Sequence, residues 1–316
     1  MRKLLKRPML LFLLSFGVYQ ANLHPVASAD SIPSALLPIA IWSDGTLRLD
    51  RFATWLIEQR PGMAYAFHER DGHYYSAYPI AQPLLLFPFY IPVLAAAGVA
   101  HWETADQVLL ARVLEKLFAS LLAAGTVAAL YCLLKRISGP STALLLACAF
   151  AFGTQNWATS SQALWQHAAG ALFLVLAALG LARWSESPAR GQFLLASGLS
   201  AAIATLIRPS NILLAGAIVA ALLLSRAGVG VAVRFATFPA IAACLLAVYN
   251  GWLFGDVRGL YSSHLTPAPF LAAVGLLVSP ARGLFVYCPF LLLAIPGAFS
   301  RAPASAAALC RTVAIV

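Results

Sequence analysis

Long apolar segments recur along almost the whole chain, and little polar sequence remains from which a soluble core could be built. The strongest segment covers residues 113–134 and ends in Lys135 and Arg136. A helix needs about 20 consecutive apolar residues to cross a bilayer. Of the 316 residues, 61% are hydrophobic and only 10% charged, whereas a soluble domain has roughly 25% charged residues. The sequence therefore predicts an all-α polytopic membrane protein.

The apolar segments give the predicted helices in order, and one of them is unusual. The segment at 79–100 contains Pro79, Pro83, Pro88 and Pro92, and proline inside a helix removes a hydrogen-bond donor and kinks or breaks it. We expect this segment to lie at the membrane surface or to re-enter it without crossing. If it crosses, every later loop changes side. The other predicted segments cover residues 8–23, 113–134, 141–154, 163–183, 192–207, 212–225, 231–249 and 283–299.

Basic residues beside the first apolar segment predict the orientation. Residues 1–7 contain four of them, and positive charges that flank a span stay in the cytoplasm. The N-terminus is therefore expected inside and the following loop outside. A rival interpretation takes this stretch as a signal peptide with an A-x-A cleavage site at 26–29. The following loop is outside in either case.

The first outer loop, about residues 24–112, includes the most polar part of the chain. Its stretch 29–78 holds six of the eleven carboxylates, and a loop held by a rigid scaffold is a common place for chemistry. In the predicted topology the other carboxylates also lie outside, except for Glu186, which is on the cytoplasmic side. The six carboxylates of the stretch 29–78 are Asp30, Asp44, Asp50, Glu58, Glu69 and Asp71.

Composition and spacing argue against several functions. The net charge of +10 comes from basic residues scattered between apolar segments, which is unlike a nucleic-acid interface. The five cysteines lack CxxC spacing, so neither a disulfide framework nor a zinc site is expected. The sequence contains no metal-ligand cluster and no glycine-rich phosphate loop, which disfavours a nucleotide-sugar donor. We expect no cofactor, and a metal requirement stays open.

Polar clusters are predicted to meet at the outer face. Arginine suits bidentate contact with a phosphate, a carboxylate can take a proton from a hydroxyl group, and aromatic rings can pack on a sugar. Each member also has a structural interpretation: a helix cap, a packed interfacial residue, an aromatic belt or a headgroup contact. The clusters are 30–33 with Asp30, 73–79 with Tyr75 and Tyr78, 153–167 with Gln166 and His167, 208–211 with Arg208, and 279–283 with Arg282.

The order of these clusters resembles one superfamily of membrane enzymes. An acidic residue just after the first span, a long outer loop with short helices and a polar turn opening the fourth span are similar to the GT-C glycosyltransferases. These include the protein-mannosyltransferase and aminoarabinose-transferase group. Closer similarity is to a bacterial family of membrane glycosyltransferases of this type, through residues 30–33, 75–79, 160–167, 208–211 and 279–285.

The resemblance implies a GT-C-like helix bundle over residues 1–300, followed by a tail at 301–316 and consistent with a missing C-terminal part. It implies an inverting sugar transfer from a polyprenyl-phosphate donor to an acceptor, at the outer face of a bacterial inner membrane. Asp30 would be the general base. The residues that would contact the substrate are Tyr75, Tyr78, Gln166, Arg208 and Arg282.

One feature departs from the superfamily. GT-C enzymes commonly carry a second acidic residue in the second outer loop, and the turn at 154–167 has none. The resemblance then implies that His167 or Gln166 takes its place.

Two other functions stay open on the residues alone. A transporter or flippase of lipid-linked saccharides would need ionisable residues near the middle of several spans, where this sequence has few. A non-enzymatic assembly factor would use the outer loop to bind a partner. The oligomeric state, the sugar and the acceptor are not predicted.

Overall fold

Helices dominate the architecture, and 81% of the structure is helical. The computed structural model describes residues 6–22, 28–224, 227–260, 269–281 and 283–293. The predicted all-α class is confirmed. The helices are α1 (Lys6–Gln20), α2 (Ile32–Asp44), α3 (Asp50–Gln59), α4 (Ala81–Ala97), α5 (Thr104–Ile137), α6 (Pro140–Gly153), α7 (Gln166–Glu186), α8 (Gly191–Ile207), α9 (Ile212–Leu224), α10 (Val229–Phe254), α11 (Pro269–Val278) and α12 (Leu284–Tyr287).

Three of these helices, α5, α7 and α10, are long and apolar enough to cross a membrane. They correspond to the predicted segments 113–134, 163–183 and 231–249. Shorter apolar helices of 10–17 residues include α4, α6 and α8. The described part of the chain is thus compatible with a membrane protein, as its composition predicts.

Helix α5 joins the folded first loop to the apolar helices. Its 34 residues extend about 51 Å at 1.5 Å per residue, which exceeds the roughly 30 Å of a bilayer's hydrocarbon core. Its first half packs Leu114 and Phe118 into a core shared with α2, α3 and α4. Its second half packs Ala123 against Tyr19 of α1. The helix therefore begins at Thr104, well before the predicted span at 113.

The prolines do not interrupt α4. Pro88 and Pro92 both lie within this 17-residue helix. Tyr90 stacks on Phe118 of α5 with ring centroids 4.7 Å apart, inside the core that also contains α2 and α3. Helix α4 thus belongs to the folded first loop. That it does not cross the membrane stays a prediction.

A two-stranded hairpin lies in the same loop, where only short helices were predicted. Strand β1 (Phe67–Arg70) pairs antiparallel with β2 (His73–Ser76). Between them Asp71 and Gly72 have φ angles of +53° and +76°. A type I′ turn requires positive φ at both central residues, which is why Asp-Gly favours it. This dipeptide is the sequence signal that the prediction missed.

Small residues allow close packing among α7, α8 and α10. A Cβ atom on Gly198 would lie 2.9 Å from the carbonyl oxygen of Phe235, and one on Gly180 would lie 3.0 Å from Ser197. Glycine at such contacts lets helix backbones approach closely, as is common between membrane helices. The resulting core also contains Ala201 and Leu222.

The C-terminal part differs from the prediction. The segment predicted at 283–299 is described as far as Leu293, and there it forms α12 and a separate 3₁₀ turn, Pro289–Leu293. Pro289 has no N–H to continue the helix. Helix α11, which was not predicted, precedes it.

Candidate functional site

Asp30 lies in a short 3₁₀ turn, Ala29–Ser31, immediately before α2. Its side chain is exposed, and its Oδ1 accepts a hydrogen bond of 2.7 Å from the hydroxyl of Tyr78. A second phenol, Tyr65, also hydrogen-bonds Asp30, and this bond raises the pKa of Tyr65 above its ordinary value. Two tyrosines therefore orient the carboxylate while leaving it open to solvent.

His167 and Arg208 meet between the first turn of α7 and the C-terminal cap of α8. The Nη1 atom of Arg208 lies 2.9 Å from Nδ1 of His167. Because a guanidinium group can only donate, Nδ1 is the acceptor and the hydrogen of the neutral ring lies on Nε2. Asp30 is close enough for its charge to act on the same ring. The structure thus brings Asp30, His167 and Arg208 to the same end of the helices.

Two hydrogen bonds tie the segment around Asp30 to the turn that precedes His167. Trp165 donates its indole N–H to the hydroxyl of Ser28 over 3.0 Å. Asn22, just after α1, donates to Oε1 of Gln162 over 2.9 Å. The chain between α1 and α2 is therefore held against the turn at 154–167, which has no charged residue.

Buried charges on α5 anchor this turn. The side chain of Glu115 is fully buried, and its Oε1 accepts the backbone N–H of Leu164 over 3.1 Å. Its Oε2 accepts from Arg112 over 2.8 Å. Lys116 is 4% exposed and donates to Oε1 of Gln162. These residues were not proposed as functional, although a carboxylate and an ammonium beside an apolar run are a signal of buried polar structure.

The remaining predicted substrate contacts are Tyr75, Gln166 and Arg282. Tyr75 is 9% exposed and packs edge-on against Trp252 of α10, with ring centroids 5.7 Å apart, so little of its ring is open to a sugar. Gln166 is the first residue of α7 and precedes His167. Arg282 lies outside the described residues.

The other carboxylates of the first loop have partners of their own. The carboxylate of Asp50 accepts one hydrogen bond from the ring nitrogen Nδ1 of His73 over 2.9 Å and another from the backbone N–H of Tyr74 over 2.6 Å. Asp44 pairs with Arg51 over 3.2 Å, and Asp71 pairs with its neighbour Arg70. Each of these three carboxylates therefore has a partner within the loop. The ring of His73 is thus engaged with Asp50.

His167 lines one end of a cavity of about 880 Å³ between the helices. Its walls are mainly leucines of α5, α6, α11 and α12, and its polar end is formed by the turn before α7. His167 contributes to this polar end and to the contact with Arg208. The polar lining residues of that turn are Thr154, Gln155, Asn156, Thr159 and Ser160.

No group of three or more potential metal ligands occurs within the described ranges. Searches of family models, curated proteins and solved structures found no match to this chain.

Proposed function

We propose that this protein transfers a sugar from a polyprenyl-phosphate donor to an acceptor at the extracytoplasmic face, as an inverting glycosyltransferase of the GT-C type. The observation that carries the proposal is that His167 lines the polar end of a long apolar cavity and is itself in contact with Arg208 and near the charge of Asp30. A lipid-linked phosphosugar has the same division into an apolar tail and an anionic, hydroxyl-rich head.

The donor phosphate is assigned to Arg208. Its guanidinium uses one N–H group on His167, and the remaining N–H groups can meet phosphate oxygens in a bidentate manner. Arg208 is exposed at the helix end, where the phosphate of a lipid would lie. The Nε2–H of His167 is a second donor at the same place. Arg282 stays a proposed contact from the sequence.

The acceptor is activated by Asp30. As the acceptor oxygen bonds to the anomeric carbon, the bond from that carbon to the phosphate oxygen breaks and the polyprenyl phosphate leaves with the electron pair. Asp30 takes the proton of the hydroxyl group. A positioned general base contributes about 10²–10⁴ in rate. The bonds from Tyr65 and Tyr78 support this role because they hold the carboxylate in one orientation.

The direct displacement needs one carboxylate, which agrees with the chargeless turn before α7. Neutral His167 then serves the phosphate side as a hydrogen-bond donor rather than as a second base. Of the aromatic residues proposed to contact the sugar, Tyr78 is the better supported because its hydroxyl reaches Asp30.

The transporter alternative gains little support from the buried charges. Glu115 and Lys116 lie within α5, but their hydrogen bonds go to Leu164 and Gln162 of the neighbouring turn. Charges that move a substrate or a proton need to be reachable from a water-filled path. These two are better explained as anchors of the turn.

The deciding experiment measures transfer by purified Asp30→Asn in liposomes that contain a synthetic polyprenyl-phosphate sugar. We expect turnover to fall by about 10²–10⁴ while thermal unfolding stays close to wild type. The matched control is Asp71→Asn, because Asp71 lies in the exposed hairpin turn and asparagine tolerates positive φ. Wild-type turnover by Asp30→Asn, or a product of retained configuration, would refute the proposal.

A further inference from the structure

A second cavity, of about 580 Å³, lies at the opposite end of the helices from Asp30. It is bounded by the end of α7 and the beginnings of α8 and α10. Helix α7 separates the two sites, because His167 near its start and Trp184 near its end are about 26 Å apart at 1.5 Å per residue. This distance is close to the roughly 30 Å of a bilayer's hydrocarbon core, so the two sites lie near opposite faces of the apolar layer.

The lining of this cavity combines apolar walls with one cation. Leu194, Leu195 and Val231 supply apolar surface, and Trp184 and Arg234 also line the cavity. Tryptophan is enriched where lipid headgroups meet the hydrocarbon. Arg234 is exposed, and within the described part of the chain no carboxylate forms an ion pair with it.

The surrounding end of the helices is strongly basic. Lys135, Arg183 and Arg190 lie here with Arg234, while the nearby carboxylate, Glu186, is already paired with Arg136. The N-termini of α8 and α10 add partial positive charge to the same rim. An anionic group would therefore find attraction here without displacing an existing ion pair of Arg234.

We propose that this cavity binds an anionic phospholipid, with its phosphate on Arg234 and an acyl chain along the apolar wall. A free phosphate ion fits less well because it would leave that wall uncovered. Leu195 is 45% exposed and Val233 of α10 is 57% exposed, so the wall continues onto the outer surfaces of the two helices. An acyl chain matches that continuity, and basic pockets between helix ends are known to select anionic lipids.

The test titrates the purified full chain in neutral detergent with phosphatidylglycerol and, separately, with phosphatidylcholine, and measures bound lipid by native mass spectrometry. Wild type should bind phosphatidylglycerol about tenfold more tightly, because its headgroup keeps a net negative charge, whereas the choline cation of phosphatidylcholine cancels the phosphate charge and is repelled by this basic end of the helices. Arg234→Gln should remove most of this preference. Arg234→Lys should keep part of it, because lysine retains the charge but loses the planar fork.

Lys135→Gln is the matched control, because it removes one charge from the same end of the helices without altering the lining of the cavity. It should retain the wild-type preference. Equal binding of the two lipids by wild type, or an unchanged preference in Arg234→Gln, would overturn the proposal. Competition by inorganic phosphate alone would also overturn it, by identifying an anion site that does not need the lipid chain. The measurement of bound lipid does not depend on sugar transfer.

Discussion

Arg208 donates a hydrogen bond to Nδ1 of His167 over 2.9 Å and so joins the end of α8 to the beginning of α7. The contact positions a guanidinium beside the polar end of the apolar cavity that His167 lines. It also fixes the tautomer of the imidazole, because the guanidinium has no acceptor. We propose that this pair binds the donor phosphate.

Replacing Arg208 by lysine should weaken donor binding. Lysine keeps the positive charge but loses the bidentate geometry, so we expect the KM for the donor to rise about tenfold, in line with one charge-assisted hydrogen bond. Steady-state kinetics in liposomes check this. Arg258→Lys is the control, because Arg258 is exposed and pairs with Asp256. An unchanged KM in Arg208→Lys would remove the phosphate role from this residue.

The two ends of α7 should lie on opposite sides of the membrane. Single cysteines at positions 30, 167 and 208, in a chain from which the native cysteines are removed, should react with an impermeant thiol reagent from outside. Cysteines at 135 and 190 should react only after permeabilisation, since basic residues favour the cytoplasm. Labelling of position 167 from the cytoplasm would reverse the orientation. Labelling at both ends of α4, from opposite sides, would show that α4 crosses.

Removing the buried carboxylate of Glu115 should destabilise the turn that carries His167. Glu115→Ala leaves the N–H of Leu164 and the guanidinium of Arg112 without their buried acceptor, and breaking a buried ion pair costs about 3–5 kcal/mol. Denaturant or thermal unfolding in detergent measures the loss. Glu103→Ala, at the exposed start of α5, should change stability little. A stable Glu115→Ala protein would mean that the turn is held mainly by other contacts.

Adding a methyl group at Gly198 should separate α8 from α10. The new Cβ would lie 2.9 Å from the carbonyl oxygen of Phe235, so Gly198→Ala should lower the unfolding free energy by about 1–3 kcal/mol, as overpacking does. Gly216→Ala in α9 is the opposite case, because no atom lies within 4 Å of its Cβ position. That variant should be neutral or up to about 1 kcal/mol more stable. Equal effects of the two variants would contradict the close packing.

The phenol of Tyr65 should ionise at higher pH than an ordinary tyrosine. Its pKa is raised from 10.0 by the hydrogen bond to Asp30, with smaller effects of burial and of the Asp30 charge. The stability linked to this bond is therefore fully present below pH 10 and is lost as the pH rises through the folded-state pKa. NMR of ring-labelled tyrosine, assigned with Tyr65→Phe, measures the titration. Asp30→Asn should lower this pKa, whereas Asp71→Asn should leave it unchanged.

The sequence was sufficient for features that depend on local apolar patterns. The strong segments at 113–134 and 231–249 fall within α5 and α10, and the segment at 163–183 overlaps α7 from Gln166 onward, because a long apolar run has few ways to satisfy its backbone other than a helix in lipid. The Asp71-Gly72 dipeptide is also a local feature, and it indicates the hairpin turn from the sequence alone, although the prediction did not use it. Pro289 likewise indicates from the sequence alone that the segment at 283–299 does not form one continuous helix.

The tertiary structure decided which distant polar groups meet. His167 and Arg208 are 41 positions apart, and Asp30 and Tyr78 are 48 apart. Their approach follows from helix packing and from the bonds that Glu115 and Lys116 make with the turn before α7. Tyr75 and Tyr78 are near neighbours in the sequence, yet one packs on Trp252 and the other reaches Asp30. Composition and periodicity carry no information on such contacts, because these depend on how remote segments fill one volume.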